Sequence, residues 1–136
     1  MKKQFITILI LFTMLALLSA CSTQSNLTDT KWQLTSLAGK TPLPDTNATL
    51  YFSKDAIGGN DGCNTYGGSY TATRDTISFG NDIFSTMMYC TDDIAVQYQA
   101  YYDTLNQAAT YKITDGSLSL FDANGIVLAE FTANKD

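Results

Sequence analysis

A glycine-rich stretch at residues 58–70, GGNDGCNTYGGSY, constrains the fold of this chain more than any other segment. It contains five of the chain's nine glycines, together with Cys63 and two tyrosines. Glycine at this density disfavours a helix, but it permits positive φ angles and close approach between backbones. The stretch therefore predicts tight turns and kinked strands that are fixed at Cys63.

Short segments of alternating polarity lie on both sides of this stretch and predict strands. The first of them, residues 30–37, places Trp32 on the same face as Leu34, so we expect Trp32 in the core. Residues 83–89, IFSTMMY, are mostly apolar and predict a buried strand that ends at Cys90. Further strands are predicted at residues 47–53, 68–73, 76–79, 110–114, 117–121 and 126–132.

The apolar period changes from two to about 3.6 between residues 92 and 109, which predicts one amphipathic helix. Its apolar face includes Tyr98, Tyr101, Tyr102 and Leu105, and we expect the tyrosines to pack in the core. The short turns between strands exclude parallel crossovers. The predicted fold class is therefore mainly β (α+β), a small twisted antiparallel sheet or open barrel of about eight short strands with one helix packed on it.

The N-terminus has the features of a bacterial export signal. Lys2 and Lys3 precede an apolar run at residues 5–18, which is too short to span a bilayer. The sequence LSAC at residues 18–21 resembles a lipobox, which predicts cleavage before Cys21 and lipidation of its thiol. Ordinary signal cleavage near Ala20, giving a soluble secreted protein, is the alternative.

These features divide the chain into a signal peptide at residues 1–20, a lipidated cysteine with a short tether at 21–29, and one domain at 30–133. The expected location is the cell envelope, anchored to the membrane on the exported side. In a two-membrane cell, that is the outer membrane facing the periplasm. We expect the domain to be a monomer.

The charge of the processed chain excludes one class of partner. Removal of residues 1–20 leaves six Lys and Arg against 13 Asp and Glu, a net charge of −7. Nucleic-acid binding depends on basic side chains that neutralise phosphates, so we expect no nucleic-acid partner. Anionic lipid does not attract an acidic surface either, so the lipid on Cys21 would have to supply the anchoring.

Lipidation of Cys21 would leave Cys63 and Cys90 in an oxidising compartment, where a disulfide is the expected pairing. Two free thiols and a metal pair are the alternatives. The chain has no histidine, and two thiolates do not complete the usual four-ligand zinc site, so we expect no metal and no cofactor. Without an imidazole the usual cysteine and serine nucleophiles lack a base, so we expect no catalytic residues.

With these segments in order, the chain resembles a META domain of the HslJ type. The resemblance rests on a Trp-x-Leu strand at Trp32, the Gly-Cys-Asn run around Cys63, a Thr-x-Met-x-Cys element ending at Cys90, and one helix before the final strands. It covers about residues 27–132. Met87 departs from the pattern, because such domains often carry arginine there.

The resemblance implies an envelope lipoprotein or a secreted protein connected with heat or antibiotic stress, and it implies no reaction or cofactor. We expect such a protein to act by contact with another envelope protein or by binding a small molecule. Asn64 and Tyr66 are the candidate binding residues, although both also suit structural roles in a turn and in the core. An alternative is an inhibitor of an exported protease or hydrolase, which would present the loop at residues 39–45.

Overall fold

The computed structural model describes residues 26–134, so the predicted signal peptide, Cys21 and most of the tether lie outside the described residues. Within this range the chain forms nine strands and one helix, which confirms the predicted fold class. The elements are β1 (Thr30–Leu37), β2 (Thr49–Phe52), β3 (Ala56–Asn60), β4 (Thr65–Ala72), β5 (Ile77–Phe79), β6 (Phe84–Ser85), α1 (Asp92–Gln107), β7 (Thr110–Thr114), β8 (Ser117–Phe121) and β9 (Val127–Ala133).

The strands form one antiparallel sheet that closes almost completely into a barrel. Its order is β5-β4-β3-β2-β1-β9-β8-β7, and β6 pairs with β4 beside this path. The two ends of the sheet meet where the Ile77 amide donates to the Ala109 carbonyl at 3.0 Å and the Tyr111 amide donates to the Asp75 carbonyl at 2.9 Å. Closure removes the unpaired edges that an open sheet would present to other chains.

A bulge in β1 explains how three apolar residues with unequal spacing share the core face. The register between β1 and β9 shifts between Leu34 and Ser36. Trp32 and Leu34 alternate normally, and the extra residue then returns Leu37 to the inner face. All three side chains are buried, which confirms the core position predicted for Trp32.

Two glycines of the 58–70 stretch are required by the backbone itself. Gly59 has a φ of 152°, and a Cβ atom there would lie 2.1 Å from the carbonyl oxygen of Thr49 on β2. Gly62 has a φ of 102° and faces the Gln97 side chain, which would be 3.1 Å from an added Cβ. Gly59 therefore allows β3 to approach β2 closely, and at both positions the positive φ angle favours glycine over residues with a side chain.

Helix α1 packs one face on the barrel interior. Tyr101 and Leu105 are buried, and the ring of Tyr101 makes edge contacts with Tyr66 and Phe131 at centroid distances of 5.7 and 6.5 Å. The helix ends at Gln107, two residues before the predicted end, because Ala108 has an extended backbone. None of the described helices is long and apolar enough to cross a membrane.

The prediction of a buried strand at residues 83–89 was wrong. Only Phe84 and Ser85 form a strand, and they pair with Tyr66 and Gly67 of β4. The chain then leaves the sheet, and Met87 and Tyr89 are exposed. Apolar composition indicated burial at these positions, but β6 lies outside the main path of the sheet and no second layer covers it.

Candidate functional site

A buried carboxylate fixes the turn at the centre of the glycine-rich stretch. Asp61 has no exposed surface. Its Oδ1 accepts hydrogen bonds from the backbone amides of Cys63 and Asn64 at 2.8 and 2.6 Å, and its Oδ2 accepts one from the Tyr102 hydroxyl at 2.7 Å. Hydrogen bonds of this kind offset the cost of burying a charge. Asp61 therefore joins the β3–β4 turn to helix α1.

Two buried tyrosines continue this polar network into the barrel. The hydroxyls of Tyr66 and Tyr101 lie 2.7 Å apart, and they lie 3.0 and 3.3 Å from the Thr49 carbonyl oxygen. Each phenol has one proton, so one hydroxyl donates to the carbonyl and the other donates to the neighbouring hydroxyl. Burial, followed by the proximity of Tyr101, raises the pKa of Tyr66 well above its ordinary value. Burial likewise raises the pKa of Tyr101. Both phenols are therefore neutral at physiological pH and serve as structural hydrogen-bonding groups.

Asn64 uses its side chain to hold the segment that follows β6. Its Oδ1 accepts hydrogen bonds from the Thr86 hydroxyl at 3.0 Å and from the Met88 backbone amide at 2.8 Å. The Thr86 amide also donates to the Thr65 carbonyl at 2.9 Å. Asn64 itself is only 5% exposed. A buried carboxamide thus fixes the backbone of residues 86–88.

A disulfide joins Cys63 to Cys90 and closes the other end of the same segment. The two Cα atoms are 6.3 Å apart, within the range that disulfides span. The bond confirms the predicted pairing. Residues 86–89, which we call the apolar segment, are therefore fixed at their start by Asn64 and immediately after their end by Cys90.

The apolar segment exposes its side chains almost completely despite this bracing. Met87 and Tyr89 are 98% and 94% exposed, Met88 is also exposed, and Phe84 on β6 is 70% exposed. Adjacent exposed apolar side chains of this size mark interaction sites in soluble proteins, and methionine and aromatic residues are enriched at protein interfaces. The sequence analysis missed this surface because it assigned the same residues to the core.

Two grooves flank helix α1. The first, of about 380 Å³, lies between the helix and the predicted inhibitor loop, and it is lined mainly by apolar groups that include Pro42 and Val96. Gln97 fixes this loop, because its Oε1 accepts from the Leu43 amide at 2.6 Å and its Nε2 donates to the Thr46 hydroxyl at 2.9 Å. The loop therefore packs along the helix.

The second groove, of about 350 Å³, separates the β5–β6 connection from the other side of helix α1. We call it the polar groove, because carboxamides and hydroxyls predominate among its side chains. Its lining residues are Gly80, Asn81, Ile83, Ser85, Gln99, Tyr102 and Asn106.

Comparison with known proteins identifies the family. The family model of the META domain matches residues 25–135, which is most of the chain. The chain belongs to the META domain family. No curated protein sequence gives a significant match.

Solved structures with the same fold support this assignment. A protein from Burkholderia xenovorans solved by NMR has 27% identity and a TM-score of 0.64, with 81% of this chain and 85% of that chain covered. A second NMR structure has 18% identity and a TM-score of 0.62, covering 78% and 90% of the two chains. A crystal structure of a DUF4847 family protein from Bacteroides vulgatus ATCC 8482 has 14% identity and a TM-score of 0.56, covering 82% and 96%. The last two show the fold alone.

In this META domain the residues predicted as candidate binding groups are internal. Tyr66 is 3% exposed, and its hydroxyl is engaged with Tyr101 and Thr49. Asn64 is buried as well, and its side chain contacts the backbone of the exposed apolar segment at Met88. A binding role for either residue stays a prediction, and the exposed side chains beside them are those of Met87 and Tyr89. Among the described residues, no group of three or more metal-ligating side chains converges.

Proposed function

We propose that this META domain protein is a lipid-anchored envelope protein that acts by non-catalytic binding to another envelope protein during heat or antibiotic stress. The observation that carries the proposal is the apolar segment, which is exposed and yet fixed by Asn64 and by the disulfide. A fixed binding segment loses little conformational freedom when a partner binds, which favours affinity. The side chains of Met87 and Tyr89 project outward, so they suit insertion into a groove of a protein partner better than enclosure of a small molecule.

The position of the apolar segment relative to the tether supports a partner beyond the membrane surface. The start of β4 holds the segment, since Thr86 bonds to Thr65. The other end of β4 is close to the tether, because the Tyr111 hydroxyl donates to the Thr73 carbonyl at 2.8 Å and also bonds to the Asn26 backbone. Eight residues of strand span about 26 Å. The tether from Cys21 to residue 26 reaches at most about 18 Å, which is less than the length of this strand. The length of β4 can therefore place the apolar segment farther from the membrane than the tether alone would, which supports a partner beyond the membrane surface.

Charge indicates which partner surface would fit. Between Arg74 and Lys112 the chain has no basic residue, and the exposed Asp92 and Asp93 follow the apolar segment after two intervening residues. An acidic rim repels anionic lipid and a second copy of the same surface. The surface complements an apolar groove with basic residues at its rim, which is the partner chemistry that we propose.

The sequence supports the anchor and the stress role, whereas the inhibitor alternative gains no support from the loop geometry. The lipobox-like sequence before Cys21 supports lipidation, and family resemblance supports a stress role. A protease-inhibitory loop must present its backbone to an enzyme. The Leu43 amide is already bonded to Gln97, and the loop packs on helix α1.

Site-directed photo-crosslinking in intact cells tests the proposal. A photo-reactive amino acid at position 87 of the full-length protein should give one discrete crosslinked envelope protein under heat stress. The same amino acid at position 126, which is exposed at the β8–β9 turn, is the matched control and should give none. Identical product patterns from both positions, or no product at position 87, would contradict binding through the apolar segment.

Lipidation needs a separate measurement. The full-length protein should incorporate a palmitate analogue and fractionate with membranes, and Cys21→Ser should abolish both. A soluble, unlabelled wild-type protein would support ordinary cleavage near Ala20 and would remove the anchored part of the proposal.

A further inference from the structure

The polar groove contains hydrogen-bonding groups that the fold leaves unused. In the part of the chain that the structure describes, Asn81, Gln99 and Asn106 are exposed to solvent, and their side chains have no hydrogen-bond partner within the protein. Gln99 and Asn106 lie on the groove-facing side of helix α1, and Asn81 faces them from the β5–β6 connection. Three carboxamides, each with donors and an acceptor, therefore line one concave site.

Tyr102 gives the same groove a fixed aromatic wall. Its hydroxyl donates to Asp61 at 2.7 Å, and its ring makes edge contacts with Tyr66 and Tyr98 at centroid distances of 5.9 and 6.3 Å. The ring is half-buried and borders the groove. The buried network described above therefore sets the orientation of one side of the site, which limits the cost of ordering it on binding.

We propose that the polar groove binds a neutral oligosaccharide. Sugar hydroxyls both donate and accept, so they match carboxamides that do the same, while the C–H face of a pyranose ring suits an aromatic wall. The groove volume of about 350 Å³ lies at the lower end of the range for small-ligand sites. That size accommodates one or two sugar rings with the remainder of the chain outside.

The lining residues disfavour the other common ligand classes. No Lys or Arg lines the groove, so phosphorylated or carboxylated ligands lack a counter-charge. No long apolar strip lines it either, because Ile83 is the one aliphatic side chain among the lining residues. An extended peptide would require the edge of a strand, and β6 offers two residues that already pair with β4.

The site is independent of the proposed protein partner. The apolar segment uses Met87 and Tyr89, neither of which lines the polar groove. Loss of glycan binding would leave the crosslinks from position 87 unchanged, and loss of those crosslinks would leave glycan binding unchanged. The two proposals can therefore fail separately.

Side-chain amide signals provide a direct test. Full-length ¹⁵N-labelled protein in a zwitterionic detergent is titrated with chitotetraose, maltotetraose and cellotetraose, and the NH₂ resonances of Asn81, Gln99 and Asn106 are followed. We expect at least one glycan to shift these resonances in a saturable way. Asn106→Ala and Gln99→Ala should each weaken that binding about tenfold, as expected for the loss of one hydrogen bond of about 1.4 kcal/mol.

Gln107→Ala is the matched control, because Gln107 is exposed on the same helix and does not line the groove. It should bind like the wild type, and thermal melting should confirm that all three variants are folded. No saturable shift with any of the glycans up to about 10 mM, which corresponds to a binding free energy near −3 kcal/mol, would overturn the proposal. Equal loss of binding in Gln107→Ala, or saturable shifts with a neutral tetrapeptide instead, would also overturn it.

Discussion

The two sides of the Cys63–Cys90 bond reverse the usual distribution of polar and apolar groups. On one side, the β3–β4 turn buries the carboxylate of Asp61 and the carboxamide of Asn64. On the other, the apolar segment exposes Met87 and Tyr89 to solvent. The usual arrangement would bury the second group and expose the first.

The hydrogen bonds show that these two departures depend on each other. Asn64 is buried because it accepts from the Met88 backbone, and Met88 lies outside the barrel because its backbone is satisfied there without a strand partner. These hydrogen bonds offset the cost of burying the Asn64 carboxamide. The carboxamide in turn fixes the apolar segment in one conformation. A purely structural turn would not require exposed methionine and tyrosine side chains.

Removal of the disulfide should have the largest effect on this pair of regions. Cys63→Ser with Cys90→Ser releases a loop closed over 27 residues, which should lower the free energy of unfolding by about 3–4 kcal/mol. Urea denaturation of the oxidised wild type and the double variant measures the difference. The backbone of residues 86–89 should also lose protection in hydrogen exchange, because one of its two attachments is gone.

Reduction of the wild type with a thiol is the control for the serine substitutions, and it should produce the same destabilisation. Binding to the crosslinked partner should weaken together with stability. Loss of partner binding with an unchanged urea midpoint would contradict our prediction that this disulfide first of all stabilises the fold.

Loss of the Asn64 side chain should have the next largest effect. Asn64→Ala leaves the Met88 amide and the Thr86 hydroxyl without their acceptor, which should cost about 2 kcal/mol. Faster exchange of the Met88 amide, measured by NMR, would locate the change in the apolar segment. Asn124→Ala in the exposed β8–β9 turn is the control and should change stability by less than about 0.5 kcal/mol.

The difference between these regions also explains which parts of the fold could be predicted from the sequence. The final meander was predictable because the Asp115-Gly116 turn, with φ angles of 50° and 78°, has a local chemical signature. The core positions of Trp32 and Tyr101 followed from periodicity. The cysteine pairing followed from the expectation that lipidation of Cys21 leaves an even number of cysteines in an oxidising compartment.

The exposed position of Met87 and Tyr89 could not be predicted in this way. Local patterns report composition, whereas the position of this segment depends on a hydrogen bond between residues that are 24 positions apart. The grooves beside helix α1 likewise depend on how distant segments pack.

Alkaline pH should lower the stability of the folded domain through the buried tyrosines Tyr66 and Tyr101. An unfolded tyrosine has a pKa near 10, and burial raises the pKa of Tyr66 and Tyr101 above this value in the folded state. The folded protein therefore holds its protons more tightly than the unfolded chain. Its stability should be constant on this account below pH 10 and should fall as pH rises towards the folded-state values, by up to about 1.4 kcal/mol per pH unit for each tyrosine.

Urea midpoints between pH 9 and pH 11.5 measure this slope. Tyr101→Phe should reduce the slope by the contribution of one tyrosine, and it should lower stability at neutral pH by about 1 kcal/mol through the lost hydrogen bonds. Tyr51→Phe, on the more exposed face of β2, is the control. An unchanged slope in Tyr101→Phe would show that its phenol does not control the alkaline transition.

Substitution of the exposed side chains of Met87 and Tyr89 should have the smallest effect on stability. It therefore separates a role in partner binding from a role in the core. Met87→Ser with Tyr89→Ser removes apolar groups that contact little of the folded domain, so the free energy of unfolding should change by less than about 0.5 kcal/mol. Crosslinking to the partner, with the photo-reactive group moved to position 84, should nevertheless be lost. A core role would instead lower stability by several kcal/mol, as truncation of buried side chains does. A stable variant that still binds its partner would show that the fixed backbone of the apolar segment, rather than its side chains, forms the contact.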